Sequence, residues 1–282
     1  MNIGIVGLGL IGGSLAKAVK KNTKHTVLGF DISKQVFLKA KLLEAVDYEL
    51  TADRLPICDI VIIATTPEVA VDYIKNNAEI FKKGAIVLDI CGIKRKICTE
   101  GFEIAKNNGF VFIGGHPMAG LEHSGFNYSS DKLFENASMI ITPEKGTDIA
   151  ILDCLNKLFG AMGFTHIEIT TPENHDRIIA YTSQLAHIVS SAFVKSPTSQ
   201  EHYGYSAGSY KDMTRVALLD ENMWTELFKI NSDNLLPEVE TLIKNLEEYR
   251  DALKADDFDK VRQLLKEGKE QKIRADRKDL NE

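Results

Sequence analysis

The run Gly7-Leu8-Gly9-Leu10-Ile11-Gly12 follows a short apolar stretch, Asn2–Val6, and opens a stretch with helical spacing, Ile11–Lys21. A GxGxxG string alone is weak evidence. Between a strand and a helix it is the fingerprint of a turn that binds dinucleotide phosphates. Gly7 permits the tight turn, Gly9 lets a pyrophosphate approach the backbone, and Gly12 lets helix and strand pack closely. Free amides and the helix dipole then favour the phosphate charge, with Leu10 and Ile11 in the first turn. Asp31 ends the next apolar run, Thr26–Phe30, 19 residues after Gly12. A carboxylate there accepts hydrogen bonds from an adenine ribose and repels a 2′-phosphate, so NAD is expected and NADP is less favoured.

Outward from this turn, apolar runs alternate with amphipathic ones. Strands are expected at Asn2–Val6, Thr26–Phe30, Ile60–Ala64, Ile86–Asp89, Val111–Gly114, Ser138–Ile141 and His166–Thr170. Helical spacing lies between several of them, as at Pro67–Phe81, which starts with proline at the first helical position. This rhythm predicts βαβ units and a mostly parallel sheet of Rossmann type, with helices on both faces. After Thr170 the character changes. Pro172–Val194 reads as one long helix, a Ser/Pro break follows at Ser196–Ser199, and from Glu221 the pattern is helical almost to the end. The expected division is therefore a dinucleotide-binding domain at 1–171 and an all-helical domain at 172–282. The polar tail Lys266–Glu282 is expected to be a solvated, fraying helix end.

The helix around Ile178–Phe193 is apolar nearly all round, which predicts burial on every side and a homodimer built through the helical domain. The chain has 282 residues, 44% hydrophobic and 26% charged, with 34 Lys and Arg against 40 Asp and Glu. The net charge of -6 and the lack of a basic block exclude a nucleic-acid arm. No apolar run reaches the ~18 residues of a membrane span. With no basic, apolar leader before the first strand, a cytoplasmic protein without membrane contact is expected. Cys58, Cys91, Cys98 and Cys154 form no CxxC pair and have no histidine at zinc spacing, so reduced thiols and no metal are expected.

In open parallel sheets, ligands sit at the carboxyl ends of the strands. Three such ends carry polar groups: Thr65-Thr66-Pro67, the run from Asp89 through Gly92 to Lys94, and Gly115-His116-Pro117-Met118-Ala119-Gly120. Thr65 and Pro67 are cofactor candidates. His116 is held extended by the following proline. Its imidazole could accept a proton from a substrate hydroxyl as hydride leaves the same carbon. In the helical part, Ser183, His187 and Ser191 form a polar stripe at i, i+4, i+8, with Gln184 beside His187. Substrate groups or neighbouring helices could satisfy that stripe. Arg215 suits a bidentate carboxylate contact or a surface ion pair.

Taken together, these motifs resemble the prephenate/arogenate dehydrogenase family of tyrosine biosynthesis. The resemblance spans nearly the whole chain. It rests on the glycine fingerprint, on His116-Pro117-Met118-Ala119-Gly120 with Glu122, Ser124 and Gly125, on Gln184-Leu185-Ala186-His187, on Gly208–Ala217, and on the single tryptophan, Trp224. It implies a Rossmann domain, a dimerising helical domain and NAD(P)-dependent oxidative decarboxylation of prephenate or arogenate. It further implies His116 as the catalytic histidine, Arg215 as the carboxylate-binding arginine and His187 as a second substrate-site histidine. Gln184 and Ser124 are the remaining substrate-side candidates. Two positions depart from the family pattern: Gly92 stands where a serine is usual, and Ala186 where proline is usual. Glu122, Lys211 and Asp212 are expected to form an ionic latch at the cleft mouth. A related hydroxyacid dehydrogenase would instead act on simple 3-hydroxy acids, and a non-catalytic dinucleotide sensor would bind cofactor without turnover.

Overall fold

In β1 (Asn2–Val6) every residue after the first is buried, as a parallel strand covered on both faces requires. It lies inside an eight-stranded sheet with β2 (Thr26–Phe30), β3 (Tyr48–Glu49), β4 (Ile60–Ile63), β5 (Ile86–Asp89), β6 (Val111–Pro117), β7 (Ser138–Pro143) and β8 (His166–Ile169). The order is β3-β2-β1-β4-β5-β6-β7-β8. Every pairing is parallel except β6 with β7. The computed structural model describes residues 1–279. All seven expected strands are present. The additional one, β3, is a two-residue edge pairing too short for periodicity to reveal. One correction matters for the site. The third polar strand end was expected to start after Gly114, yet β6 continues to Pro117, with His116 opposite Ile140 of β7. The antiparallel ladder holds His116 inside the sheet rather than on a loop.

Helices α1 (Leu10–Asn22), α2 (Lys34–Leu42) and α5 (Ile149–Ala161) cover one sheet face, and α3 (Pro67–Asn77) and α4 (Arg95–Asn108) the other. Strand alternation divides the core between them. In β4, Ile60 and Ile62 join Leu15, Val19 and Leu155, while Val61 and Ile63 join Val71 and Ile97.

Strands give way to helices after Ile169. Thr171 caps α6 (Pro172–Ile179) by accepting from the Asn174 amide. The expected single helix is continuous but not uniform: a π-turn, Ala180–Leu185, separates α6 from α7 (Ala186–Phe193). Such wide turns are often found at functional sites. Nor is it buried all round, since within one chain Ile178 is 41%, Tyr181 61% and Phe193 47% exposed. Next come α8 (Gly208–Thr214) and α9 (Glu221–Ile230), the latter capped by Asp220. The first compact unit runs from Met1 to Asn231, so it includes these helices with the sheet. The second unit begins at Ser232 and contains α10 (Ser232–Lys254) packed on α11 (Phe258–Asp279). The part of the expected fraying tail at 280–282 lies outside the described residues.

The glycines of the first turn do different work. Gly7 has φ +84°, and a Cβ there would lie 2.4 Å from the Ala64 carbonyl oxygen. A Cβ on Gly12 would lie 1.9 Å from the Gly7 carbonyl oxygen, whereas one on Gly9 would meet nothing within 4 Å. Gly12→Ala should therefore cost ~1–3 kcal/mol of stability through overpacking, read as a drop of several degrees in thermal midpoint. Gly9→Ala should change stability by less than ~0.5 kcal/mol and weaken NAD+ binding at least tenfold, read by titration. Equal midpoints for the two variants, or unchanged binding by Gly9→Ala, would contradict this division.

Candidate active site

The expected cofactor residues gather at one edge, at the carboxyl ends of β1, β2 and β4. The Asp31 carboxylate accepts from the Leu8 amide at 2.8 Å and from the Ser33 amide at 2.8 Å. It is thus fixed against the glycine turn, with lone pairs to spare for a ribose. The first turn of α1, with Leu10, Ile11 and Gly12, has neither a side-chain cap nor an acidic residue. Its amides and the open space over Gly9 fit a pyrophosphate. Thr65 closes the turn from β4, its methyl 3.2 Å from where a Cβ on Gly7 would sit. Pro67 is the buried first residue of α3, and Glu226 of α9 accepts from the next amide, Glu68, at 3.3 Å.

Further along the same edge stands His116. Its Nδ1 is 2.9 Å from His175 Nε2, and His175 Nδ1 is 2.7 Å from Asp176 Oδ1. His175 and Asp176, both in α6, are 1% and 0% exposed. Asp176 accepts from the Lys94 amide at 2.7 Å, the Arg95 amide at 2.9 Å and Arg95 Nε at 3.2 Å. It therefore caps α4 from another element and carries charge at the favourable end of the helix dipole. The Asp176 carbonyl accepts from Asn231 Nδ2 at 2.9 Å, and the same amide donates to Gln184 Oε1 at 2.8 Å. Arg95 Nη2 donates to Asn231 Oδ1 at 2.9 Å. Behind the histidines, Lys94 Nζ pairs with Asp89 Oδ2, both side chains fully buried. Asp89 Oδ2 also accepts from the Cys91 amide at 2.8 Å.

Charge and burial set the protonation of this cluster. Burial first, then the neighbouring His175 and Lys94, push His116 well below the ordinary histidine value. Burial lowers His175 too, although Asp176 opposes it. Burial tends to raise Asp176, but the His175 ring and the amides of Arg95 and Lys94 outweigh it and hold the carboxyl below its usual range. Cys98 is pushed up to about 12 by burial, and Cys91 rises for the same reason. All four cysteines are free thiols, and the buried ones are poor nucleophiles.

On the helical side the outcome is mixed. His187 Nδ1 is 2.9 Å from the Ser183 carbonyl, and Trp224 stacks on its ring at 3.7 Å between centroids. Burial lowers its pKa, the Ser183 bond opposes, and Arg215 lowers it further. His187, Trp224 and Arg215 are thus neighbours. Gln184 departs from the expected substrate contact. It is 1% exposed, donates to the Leu227 carbonyl at 3.3 Å and accepts from Asn231, so neighbouring helices satisfy it. Ser124 is exposed and makes no side-chain hydrogen bond among the described residues. The latch is corrected. Glu122 pairs with Arg215 at 2.9 Å, and neither Lys211 nor Asp212 has an ion-pair partner among the described residues. The Glu122 carboxylate that the latch required is thus engaged by Arg215 instead. Gly92 faces His116: a Cβ there would lie 3.9 Å from His116 Nε2 and 3.6 Å from Leu227.

His175 and Asp176 were not identified from sequence as site residues, and Asp89 and Lys94 were noted only as part of a strand end. The available signal was a His-Asp pair in the polar first turns of a helix that becomes apolar from Ile178, together with a carboxylate and an amine five residues apart across the β5–α4 turn. Among the described residues no cluster has the makings of a metal site, and no helix is long and apolar enough to cross a membrane.

The chain matches two family models, "Prephenate dehydrogenase, nucleotide-binding domain" over residues 15–168 and "Prephenate dehydrogenase, dimerization domain" over residues 171–267. It is 29% identical to the prephenate dehydrogenase of Bacillus subtilis, over 94% of this chain and 74% of that protein. Among solved structures it resembles prephenate dehydrogenase from A. aeolicus in complex with hydroxyphenyl propionate and NAD+. That similarity has a TM-score of 0.85 and 29% identity, and covers 97% of each chain. Synechocystis arogenate dehydrogenase is similar at a TM-score of 0.81 and 25% identity, covering 97% of this chain and 99% of that one.

The lowered histidines give a stability prediction. Between their folded values and the ordinary 6.5, the unfolded chain binds protons that the folded chain refuses. Stability is therefore fully present above about pH 6.5 and falls as the pH drops below it, by up to ~1.4 kcal/mol per pH unit for each such ring. The urea midpoint should be lower at pH 5.5 than at 7.5, and His116→Asn should lessen the difference. Identical midpoints at the two pH values would refute the buried, neutral pair.

Proposed function

The chain belongs to the prephenate dehydrogenase family, and on that premise we propose that it catalyses NAD+-dependent oxidative decarboxylation of prephenate to 4-hydroxyphenylpyruvate in tyrosine biosynthesis. The observation that carries this reading is His116. One of its ring nitrogens is tied to His175, while the other faces Gly92, on the sheet edge that bears the dinucleotide turn.

Gly7, Gly9, Leu10, Ile11 and Gly12 would hold the pyrophosphate, Asp31 the adenine ribose, and Thr65 and Pro67 the wall near the nicotinamide. NAD+, when bound, supplies the hydride acceptor. His116 takes the proton of the ring hydroxyl as the carbon–hydrogen bond breaks. The ring carboxylate leaves as carbon dioxide and the ring becomes aromatic. Arg215 fixes a substrate carboxylate with the guanidinium edge that Glu122 does not occupy. His187 contacts the side chain and Ser124 lies on the adjacent loop. Gln184 serves by holding Asn231. No metal takes part.

We take 1–171 as the cofactor-binding part and 172–282 as the part that binds substrate and dimerises. The open apolar face of α6 and α7 supports a homodimer, as does the family description of residues 171–267. The reading is of a cytoplasmic enzyme with a small-molecule substrate and neither nucleic-acid nor membrane partners.

One observation favours arogenate as a second substrate. A carbonyl can only accept, so His187 Nδ1 carries the proton toward Ser183 and the neutral ring leaves Nε2 as an acceptor. A bare nitrogen suits the ammonium of arogenate, while Arg215 serves a carboxylate that both substrates carry.

Assays of prephenate and arogenate, each with NAD+ and NADP+, should give the highest kcat/KM for prephenate with NAD+. Absence of turnover with both substrates would overturn the reading in favour of a dinucleotide sensor. His116→Asn should lower kcat at least ~100-fold with NAD+ affinity unchanged. Arg215→Ala should mainly raise the substrate KM, by roughly tenfold or more. In solution the protein should have twice the chain mass by light scattering, and a monomer would refute the dimer.

A further inference from the structure

The pairing of His116 with His175 has a chemical consequence set by Asp176. Three backbone and side-chain N–H groups besides His175 point at the Asp176 carboxylate: Lys94 N, Arg95 N and Arg95 Nε. A carboxylate so surrounded stays ionised and can only accept. His175 Nδ1, 2.7 Å away, must then carry a proton. In a neutral His175 ring the other nitrogen, Nε2, is a bare acceptor. The 2.9 Å contact then requires His116 Nδ1 to be the donor. His116 Nε2 is left unprotonated, facing the space beside Gly92.

We propose that His175 and Asp176 are positioning residues that fix the tautomer of His116, so that Nε2 is always the proton-accepting nitrogen, and that they stabilise the charge once His116 is protonated. This rests on the dehydrogenase reading above. When the substrate hydroxyl proton arrives at Nε2, His116 becomes an imidazolium. Its Nδ1 proton lies on the line to His175 Nε2, and the His175 Nδ1 proton lies on the line to Asp176. Each of these protons stays on its own ring, and the buried Asp176 anion stabilises the His116 imidazolium through the two hydrogen bonds in line. The same device, a buried carboxylate orienting a histidine through one nitrogen so that the other can act as base, operates in the serine protease triad. Here a second imidazole is interposed.

The relay also explains how a glycine is tolerated at position 92. A hydroxyl beside Nε2 could orient the ring from the substrate side. In this chain the ring is oriented from behind, through Nδ1 and the β6–β7 ladder. The charged and titratable groups around the relay are few. Lys94 and His175 act on His116, and Asp176, Lys94 and Asp89 act on His175. Lys94 opposes protonation of either ring in the resting state, and Asp176 limits that penalty when the proton arrives.

Two measurements test the proposal. In wild-type protein labelled with 15N-histidine, long-range proton–nitrogen correlations at pH 7.5 should show His116 protonated at Nδ1 and bare at Nε2. The opposite tautomer would overturn the proposal, whatever the variants do. In Asp176→Asn the amide can donate to His175 Nδ1, which reverses the chain of donors and places the His116 proton on Nε2. That variant should lose ~10²–10⁴-fold in kcat, by analogy with the triad carboxylate-to-amide change, while the KM values for NAD+ and substrate stay within ~3-fold. His175→Phe should lose a similar factor. His175→Gln, whose carbonyl can still accept from His116 Nδ1, should recover at least ~10-fold of it. Wild-type kcat in Asp176→Asn or His175→Phe would also overturn the proposal. Lack of turnover by the wild type would count against the dehydrogenase reading alone, because the tautomer is read without substrate.

Discussion

A buried carboxylate must be paired, and the pairing of Asp176 organises this molecule. It is fully buried yet accepts from two amides at the start of α4, from the Arg95 side chain and from His175. Removing one partner from a buried charge of this kind typically costs ~3–5 kcal/mol, so the elements that supply the partners are not free to drift. The α4 amides belong to the sheet domain and Asp176 to the first helix after it. Through its carbonyl the same residue reaches Asn231 and then Gln184. One network therefore ties α6, the π-turn and the end of α9 to the start of α4 and places His175 against His116. Structural and chemical demands fall on the same atoms.

Electrostatics at the site are local. The net charge of -6 opposes an anionic substrate slightly at long range. Lys94, whose charge acts on His116, is sealed away and paired with Asp89, so it tunes the ring without being exposed to a substrate. On the proposed function the attraction falls to Arg215, which stands exposed and paired with Glu122. An exposed ion pair is readily exchanged for another, and a substrate carboxylate can take the place or share the fork.

Much of the fold was legible because its signals are local. The glycine turn, Asp31 and the seven longer strands follow from spacing and side-chain volume over a few residues. The helix after Pro172 was legible as a helix but not as one carrying a π-turn, because hydrogen-bond slippage leaves no mark on apolar periodicity. His116 was legible as a candidate from its place at a strand end. Its position within the strand was not, since that depends on pairing with β7, more than 20 residues away. His175 and Asp176 were illegible for a stronger reason. Their meaning comes from partners at 94, 95 and 116, and no periodicity links those positions. Gln184 misled for the same reason in reverse: a polar residue on an apolar helix implies a partner but does not identify it, and the partner is Asn231.

On the proposed relay, Asp176 contributes to turnover only through His116. A double-mutant cycle on kcat with prephenate and NAD+ decides this, comparing His116→Asn, Asp176→Asn and the double variant. If the account holds, the double variant turns over at the rate of His116→Asn within ~2-fold, because a relay without its base has nothing left to orient. If the two losses multiply, Asp176 acts on the reaction by a route that bypasses His116, and the account is contradicted.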